Sequence, residues 1–452
     1  TMASERRITS SRLGRLSQLG RLAGGIAGGA VAEGARQLAR GQRPSIGDML
    51  LTPGNARRLG DRLSEMRGAA MKVGQLLSMD SGHLLPPQLT ELLARLRESA
   101  HAMPLGQVAS VLKEAWGEGW DNRFSRFSFT PLAAASIGQV HKATLKDGTH
   151  LAVKIQYPDI RRSIDSDVDN VATLLRLSNL VPEGMDLDPL LKEAKVQLHA
   201  EADYLREARA LERFGAHLAE DPRFDVPAVM DSLTTQQVLT MRFLDGSPIE
   251  SLADAPSAQR DAAANALLEL AIREVFDWGL VQTDPNFANY LFAAESGRIQ
   301  LLDFGATRDY ASHTQTALRS LLQACIHGSD GDIEAAAADV GYLEPADPAG
   351  YRSIVVTLLR TATEPARASG DYDFARSDLA RRMKDIVMEM RLSEKFTRVP
   401  PPEILFLHRK LGGLYLLLSR LRARIPVAAL ISPTLSTTTS GRAMTDELQH
   451  AV

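Results

Sequence analysis

One stretch limits the possible folds more than any other: residues 281–308, VQTDPNFANYLFAAESGRIQLLDFGATR. Asp284 and Asn289 stand five residues apart, and Asp303-Phe304-Gly305 begins fourteen residues after Asn289, at the end of an apolar run. Short strands are predicted at 290–293 and 299–302, so the three polar side chains fall at strand ends or in the connecting loop. Two hard oxygen donors and a further carboxylate are the equipment of phosphoryl transfer from a nucleotide. Metal ions must bridge the phosphates, and a carboxylate must stand near the entering nucleophile. Asn289 and Asp303 fit the first role and Asp284 the second.

Each tripeptide alone is weak, but the upstream segments add parts in the order of a protein kinase. Strands 138–145 and 150–156 flank the turn Lys146-Asp147-Gly148, and the second strand, LAVKIQ, carries Lys154, whose ammonium suits the α- and β-phosphates. The loop before this hairpin stands where kinases place glycines. Here it offers Ala133, Ala134, Ala135, Ser136, Ile137, Gly138, Gln139 and Val140 as the nucleotide-binding segment. A strand is also predicted at 127–129 and a strand pair at 226–231 and 237–243. Helices are predicted at 56–77, 87–98, 163–180 and 188–219, and almost throughout beyond Ser257. The segment LHAEADYLREA presents Glu201, Asp203 and Glu207 as candidates to hold the lysine. A further motif, AAMKVGQLLSMD, sets Lys72, Gly74 and Gln75 on an apolar helix and has no counterpart in ordinary kinases.

Taken together, Lys72-x-Gly74-Gln75, the alanine-rich loop, Glu201-x-Asp203 and the set Asp284, Asn289 and Asp303 resemble the UbiB family of atypical kinase-like proteins, in wording nearest its mitochondrial coenzyme Q branch. The resemblance runs from about Gly14 to about Pro426 and includes RGAAMKVGQ, AAASIGQVH, VKIQYP, QTDPNFAN, LLDFGATR and PPPEILFLHRKLGG. It implies an α+β, bilobal protein-kinase-like fold: a small antiparallel sheet in the N-lobe, a helical C-lobe and an extra N-terminal helical extension carrying the Lys72 motif. It also implies that Lys154 contacts phosphate and pairs with Glu207, and that these act with Asp284 in catalysis. Asn289 and Asp303 would bind Mg²⁺ beside ATP or ADP. Lys72, Gly74, Gln75, Glu201 and Asp203 would be regulatory, with Lys72 paired to Glu201 and its helix over the groove where a protein kinase takes its peptide. The residues agree on two points: no A-P-E follows Gly305, and alanines in place of glycines stiffen the phosphate loop. Gln282-Thr283-Asp284 lacks the His-Arg that precedes the aspartate in ordinary kinases, and the loop departs from the His-Ala-Asp-Pro-His-Pro-Gly-Asn wording of many bacterial members, which points to the mitochondrial-like branch.

Composition bounds the setting. Of 452 residues 44% are apolar and 24% charged, which is globular usage, and the single cysteine, Cys325, excludes an internal disulfide and cysteine-rich zinc sites. The net charge of −3 gives no bias toward nucleic acid, yet it hides an asymmetry. Residues 1–43 hold eight arginines against two glutamates, a net of +6 that leaves −9 for the rest. In that arm Gly20, Gly24 and Gly28 recur at every fourth residue among leucines at helical spacing, as in a basic helix that meets anionic lipid; a flexible tail is the alternative. No run of ~18 apolar residues marks a membrane span, and no secretory signal is expected. Four regions are expected: the basic arm 1–43, the helical extension 44–130, whose first residues (44–54) read as a linker, an N-lobe 131–245 and a helical C-lobe 246–452. The resemblance implies an ATPase or small-molecule phosphotransferase supporting ubiquinone synthesis, peripheral on a bacterial cytoplasmic membrane or on the matrix face of the inner mitochondrial membrane. Its partners would be anionic lipid, polyprenyl-quinone intermediates and other enzymes of that synthesis, and a homodimer is compatible. The competing readings are a nucleotide-gated lipid chaperone and a small-molecule kinase of the aminoglycoside-phosphotransferase type.

Overall fold

A computed structural model describes residues 66–80, 102–135, 137–177, 187–393 and 400–436. The basic arm, the 44–54 linker, the helix expected at 87–98 and Ser136 lie outside the described residues. The chain divides into two compact units: one holds the described residues up to Gly215 together with Pro227–Leu244, the other Ala216–Val226 and the residues from Asp245 onward.

The first unit is built on an antiparallel sheet. Strands β1 (Phe124–Phe127), β2 (Ala133–Ala134), β3 (Gly138–Leu145), β4 (His150–Gln156) and β5 (Val238–Arg242) pair in the order β1-β3-β4-β5, with β2 also on β3. The β3–β4 turn forms as its sequence requires. Gly148 takes φ +90°, and the Asp147 side chain accepts from Thr149 N at 2.8 Å. Of the strand pair expected at 226–231 and 237–243, only the second is a strand; Val229 contributes one bridge to Met241. The first predicted strand sits three residues early, at β1.

Around the sheet stand α1 (Arg67–Asp80), α2 (Leu105–Trp116), α3 (Ile160–Leu177), α4 (Asp188–Glu201) and α5 (Tyr204–Leu218), whose last turn enters the second unit. In α2 the buried Val108, Val111, Leu112 and Trp116 recur at three- and four-residue steps, and the helix stops at Gly117, φ +85°. That face meets Phe124, Leu151, Val153, Ile155 and Val238 in one core, and Trp116 Nε1 donates to Leu233 O at 3.0 Å. The single helix expected over 188–219 is two helices. Between them Asp203 begins the second, where its backbone oxygen accepts from Arg206 N and Glu207 N. Helix α1 packs on α3 and α4, and its Ala69, Ala70, Val73, Leu76 and Leu77 are buried.

The second unit is mostly helical: α6 (Ser257–Arg273), α7 (Ser312–His327), α8 (Asp330–Val340), α9 (Ala349–Ala362), α10 (Leu379–Ser393), α11 (Pro402–Arg420) and α12 (Val427–Ser436). Val275, Val281, Leu318, Ile333, Val355, Ile404 and Leu407 share its core. Among the helices lie β6 (Leu280–Gln282), β7 (Tyr290–Ala293), β8 (Arg298–Leu301) and β9 (Thr307–Asp309); β6 pairs with β9 and β7 with β8. After Gly305 the chain therefore makes three strand residues before turning helical at Ser312. Residues Phe224–Asp225 add a parallel strand beside β8. Among the described residues no helix is long and apolar enough to cross a membrane.

Candidate active site

In the first unit, the loop before β3 is a tight hairpin. Ala133 and Ala134 pair with Val140 and Gln139, Leu132 N donates to Val140 O at 2.7 Å, and Ala135 N to Gly138 O at 2.9 Å. Gly138 is required by contact: a Cβ there would lie 2.2 Å from Ile155 O. The side chain of Gln139 is buried and turned to structural work. Its Oε1 accepts from Met103 N at 2.9 Å, and its Nε2 lies 2.8 Å from His141 Nε2, while His141 Nδ1 is 2.8 Å from Ser128 O. Burial pulls His141 below its ordinary value, with the Ser128 bond opposing, so the neutral ring donates to Ser128 and accepts from Gln139. Ile137 is likewise buried, so the loop offers a ligand backbone atoms and alanine methyls rather than these two side chains.

Lys154, on β4, points its Nζ at both carboxylate oxygens of Glu207, at 2.8 and 2.9 Å, with the pair buried. Of the three acids in LHAEADYLREA, Glu207 is thus the one that reaches it. Glu201 instead pairs with Lys72 of α1, again with both largely buried. Gly74 is buried and Gln75 half-buried on the same helix. Asp203 serves the start of α5, its Oδ1 3.4 Å from Arg206 N.

In the second unit, Asp284, Asn289 and Asp303 are tied together by one backbone bond and by side-chain amide bonds. Leu302 N donates to Asn289 O at 3.0 Å, which sets the residue before Asp303 beside Asn289; Gln282 Nε2 donates to Asp303 O at 3.1 Å. The Asn289 amide nitrogen donates to Asp284 Oδ2 at 3.0 Å, leaving its amide oxygen as a ligand atom. Asp303 Oδ1 accepts from Gly305 N at 2.9 Å. Among the described residues no three His, Cys, Asp or Glu side chains form a metal cage. The donor set of one carboxylate and one amide suits Mg²⁺, which takes one or two protein oxygens and completes its shell with phosphates and water.

The sequence reading did not assign the residues that hold this loop. Glu274, where α6 passes into a π-helical turn (Glu274–Trp278), accepts from Gln282 N at 3.0 Å and pairs with Lys410 Nζ at 2.9 Å from both oxygens. Burial opposes the Lys410 charge, but the Glu274 carboxylate and Tyr290 outweigh it and hold the lysine above its ordinary value. Arg409 Nη2 donates to Asp284 Oδ1 at 2.7 Å, and a Cβ on Gly413 would lie 2.0 Å from Pro285 Cβ. His408, Arg409 and Lys410 stand in the motif PPPEILFLHRKLGG, which carried part of the resemblance but no role for them.

Comparison with known proteins places the chain in a family. The ABC1 atypical kinase-like domain matches residues 95–337. The chain is 38% identical over 427 residues to "Atypical kinase COQ8, mitochondrial" of Saccharomyces cerevisiae, covering 94% of this chain and 84% of the relative. It is 36% identical over 439 residues to "Atypical kinase coq-8, mitochondrial" of Caenorhabditis elegans, but spans 58% of that relative's length. Among solved structures, that of Rv3197 with erythromycin, from Mycobacterium tuberculosis, superposes with a TM-score of 0.59 at 26% identity, covering 84% of this chain and 96% of that one.

Proposed function

The chain belongs to the UbiB family of ABC1-type atypical kinases, and from that premise we propose that it binds Mg²⁺-nucleotide and turns ATP over, by hydrolysis or by transfer to a small molecule, in support of coenzyme Q synthesis at a membrane surface. The observation that carries the reading is the Lys154–Glu207 pair. Burying two charges costs several kcal/mol per ion before their attraction is counted, so a chain that keeps both on β4 and α5 keeps them for more than stability. A lysine so fixed places a positive charge where an anionic phosphate chain can meet it.

Mg²⁺ held beside the nucleotide would supply positive charge against the charge that develops on the phosphates. Asn289 and Asp303 are the residues that would hold it, Asn289 through the amide oxygen left by its bond to Asp284. Asp284 would orient the hydroxyl or water that attacks. The hairpin at Ala133–Val140 spends several backbone N–H groups on itself, which leaves fewer to cradle a terminal phosphate and favours slow turnover. The basic arm, net +6, would supply the membrane contact, each arginine near an anionic surface contributing ~1 kcal/mol.

The test is Asp303→Asn. It removes one negative ligand atom and keeps the size, so Mg²⁺-dependent ATPase activity is expected to fall at least tenfold, and a strain lacking the protein is expected to recover no quinone when given the variant. Full activity in the variant would overturn the reading.

A further inference from the structure

Asp284 lies outside any helix or strand, in a loop between β6 and the short turn at Phe287–Asn289. Both oxygens are nevertheless engaged: Oδ2 by Asn289 at 3.0 Å and Oδ1 by Arg409 at 2.7 Å, a residue 125 positions later on α11. Two neighbours on that helix touch the same region. Lys410 is bonded to Glu274, which holds Gln282 N, and Gly413 lets the helix backbone reach Pro285. Three successive contacts from one helix thus fall on the acid anchor, the proline and the carboxylate of a single loop. We propose that α11 is the positioning element of the catalytic loop and that Arg409 is the positioning residue for Asp284, supplying from a distant helix the cation that Gln282-Thr283-Asp284 lacks next to its aspartate.

Lys410 and Gly413 already secure the loop's backbone, so Arg409 is spare as a mere fastener, and of these three residues of α11 it is the one that bonds the carboxylate itself. A carboxylate offers about four lone-pair sites, and two are taken here, so each oxygen keeps one for the proton of an entering hydroxyl. Fixing a reacting group in this way acts on the rate, since small displacements of a positioned group cost far more in turnover than in binding.

The inference rests on the phosphoryl-transfer reading, and the experiment separates the two. MgATP hydrolysis, binding of a fluorescent ADP analogue and melting temperature are measured for Arg409→Ala, Arg409→Gln, Arg409→Lys, Asp284→Asn, the double variant Arg409→Ala/Asp284→Asn, and Asp303→Asn. Arg409→Ala is expected to lower kcat at least tenfold with KM and nucleotide affinity within twofold, and Arg409→Lys to recover part of the loss. In the Asp284→Asn background, Arg409→Ala should cost less than twofold more. If Arg409→Ala melts well below the parent, Arg409→Gln, which keeps the length, takes its place. Unchanged or raised kcat, or losses that multiply in the double variant, would overturn the positioning role. An inactive Asp303→Asn beside a fully active Arg409→Ala would sink this inference alone; an active Asp303→Asn would sink the functional reading beneath it.

Discussion

Lys154 and Glu207 show how a buried pair can be judged for use rather than for strength. Their bidentate contact, with Lys154 Nζ also 5.2 Å from the Tyr204 ring centre, sits in a dry part of the first unit. Removing one partner strands the other, so Glu207→Leu is expected to cost ~3–5 kcal/mol of stability. Replacing both by apolar residues of similar volume removes the stranded charge. Lys154→Met/Glu207→Leu should therefore melt close to the parent, yet bind no MgADP in a fluorescence titration. If the double variant still bound nucleotide with parental affinity, the pair would be a packing feature. These two residues were legible in the sequence to different degrees. Lys154 was marked by its place on an alternating strand after a hairpin turn. Glu207 was one of three acids in its segment, and the family resemblance rather than any local pattern singled it out; the fresh start of α5 at Asp203 is what sets it opposite Lys154.

At the scale of elements, the short segment Ala216–Val226 belongs with helices that follow it by some forty residues. Its Asp221 binds Arg223 and Arg273, and Arg223 reaches Glu269 at 2.7 Å, so α6 is tied to the strand Phe224–Asp225 beside β8. The Arg223 guanidinium, working against burial and assisted by Arg273, holds the Asp221 carboxyl down at about 2. In the unfolded chain an aspartate titrates near ~3.9, so between these values the unfolded state binds more protons and stability rises with pH. The contribution is fully present above ~4 and is lost as pH falls through 2. Allowing for the exposure of Arg223, it amounts to about 1–2 kcal/mol. Asp221→Asn is expected to flatten the pH dependence of the urea midpoint between pH 4 and 2; an unchanged slope would place the acid sensitivity elsewhere. None of this network could be read from sequence, because its members are separated by up to 52 residues and each looks like an ordinary surface charge. The same blindness hid Arg409 and Lys410, whose partners lie 125 and 136 residues away. Local signals fared better: the β3–β4 hairpin and the strands β7 and β8 fall within a residue of where apolar alternation and turn residues put them.

For the whole molecule, the kinase-like frame was legible because several motifs, each weak alone, stood in kinase order: Lys154 is on the sheet of the first unit, and Asp284, Asn289 and Asp303 are in the loops and short turn between strands of the second. Such a frame has a thermodynamic signature that does not depend on any acceptor being known. A ligand that binds the native chain alone stabilises it by RT ln(1 + [L]/Kd), ~2.7 kcal/mol at a hundredfold excess over Kd. For domains of this size each kcal/mol raises Tm by ~2–4 °C, so saturating MgADP should lift the melting temperature by roughly 5–10 °C. Chelation of Mg²⁺ is expected to remove most of that rise, because the negative phosphates would then face Asp284 and Asp303 without a bridging ion. Asp303→Asn lacks one of those charges as well as a ligand atom, so its rise should depend little on Mg²⁺. Lys154→Met/Glu207→Leu should show no rise with or without the metal. Differential scanning fluorimetry of the three chains, with and without EDTA, therefore distinguishes a metal effect at Asp303 from a phosphate effect at Lys154. A parental rise that survives chelation unchanged would mean that Asn289 and Asp303 do not hold the metal.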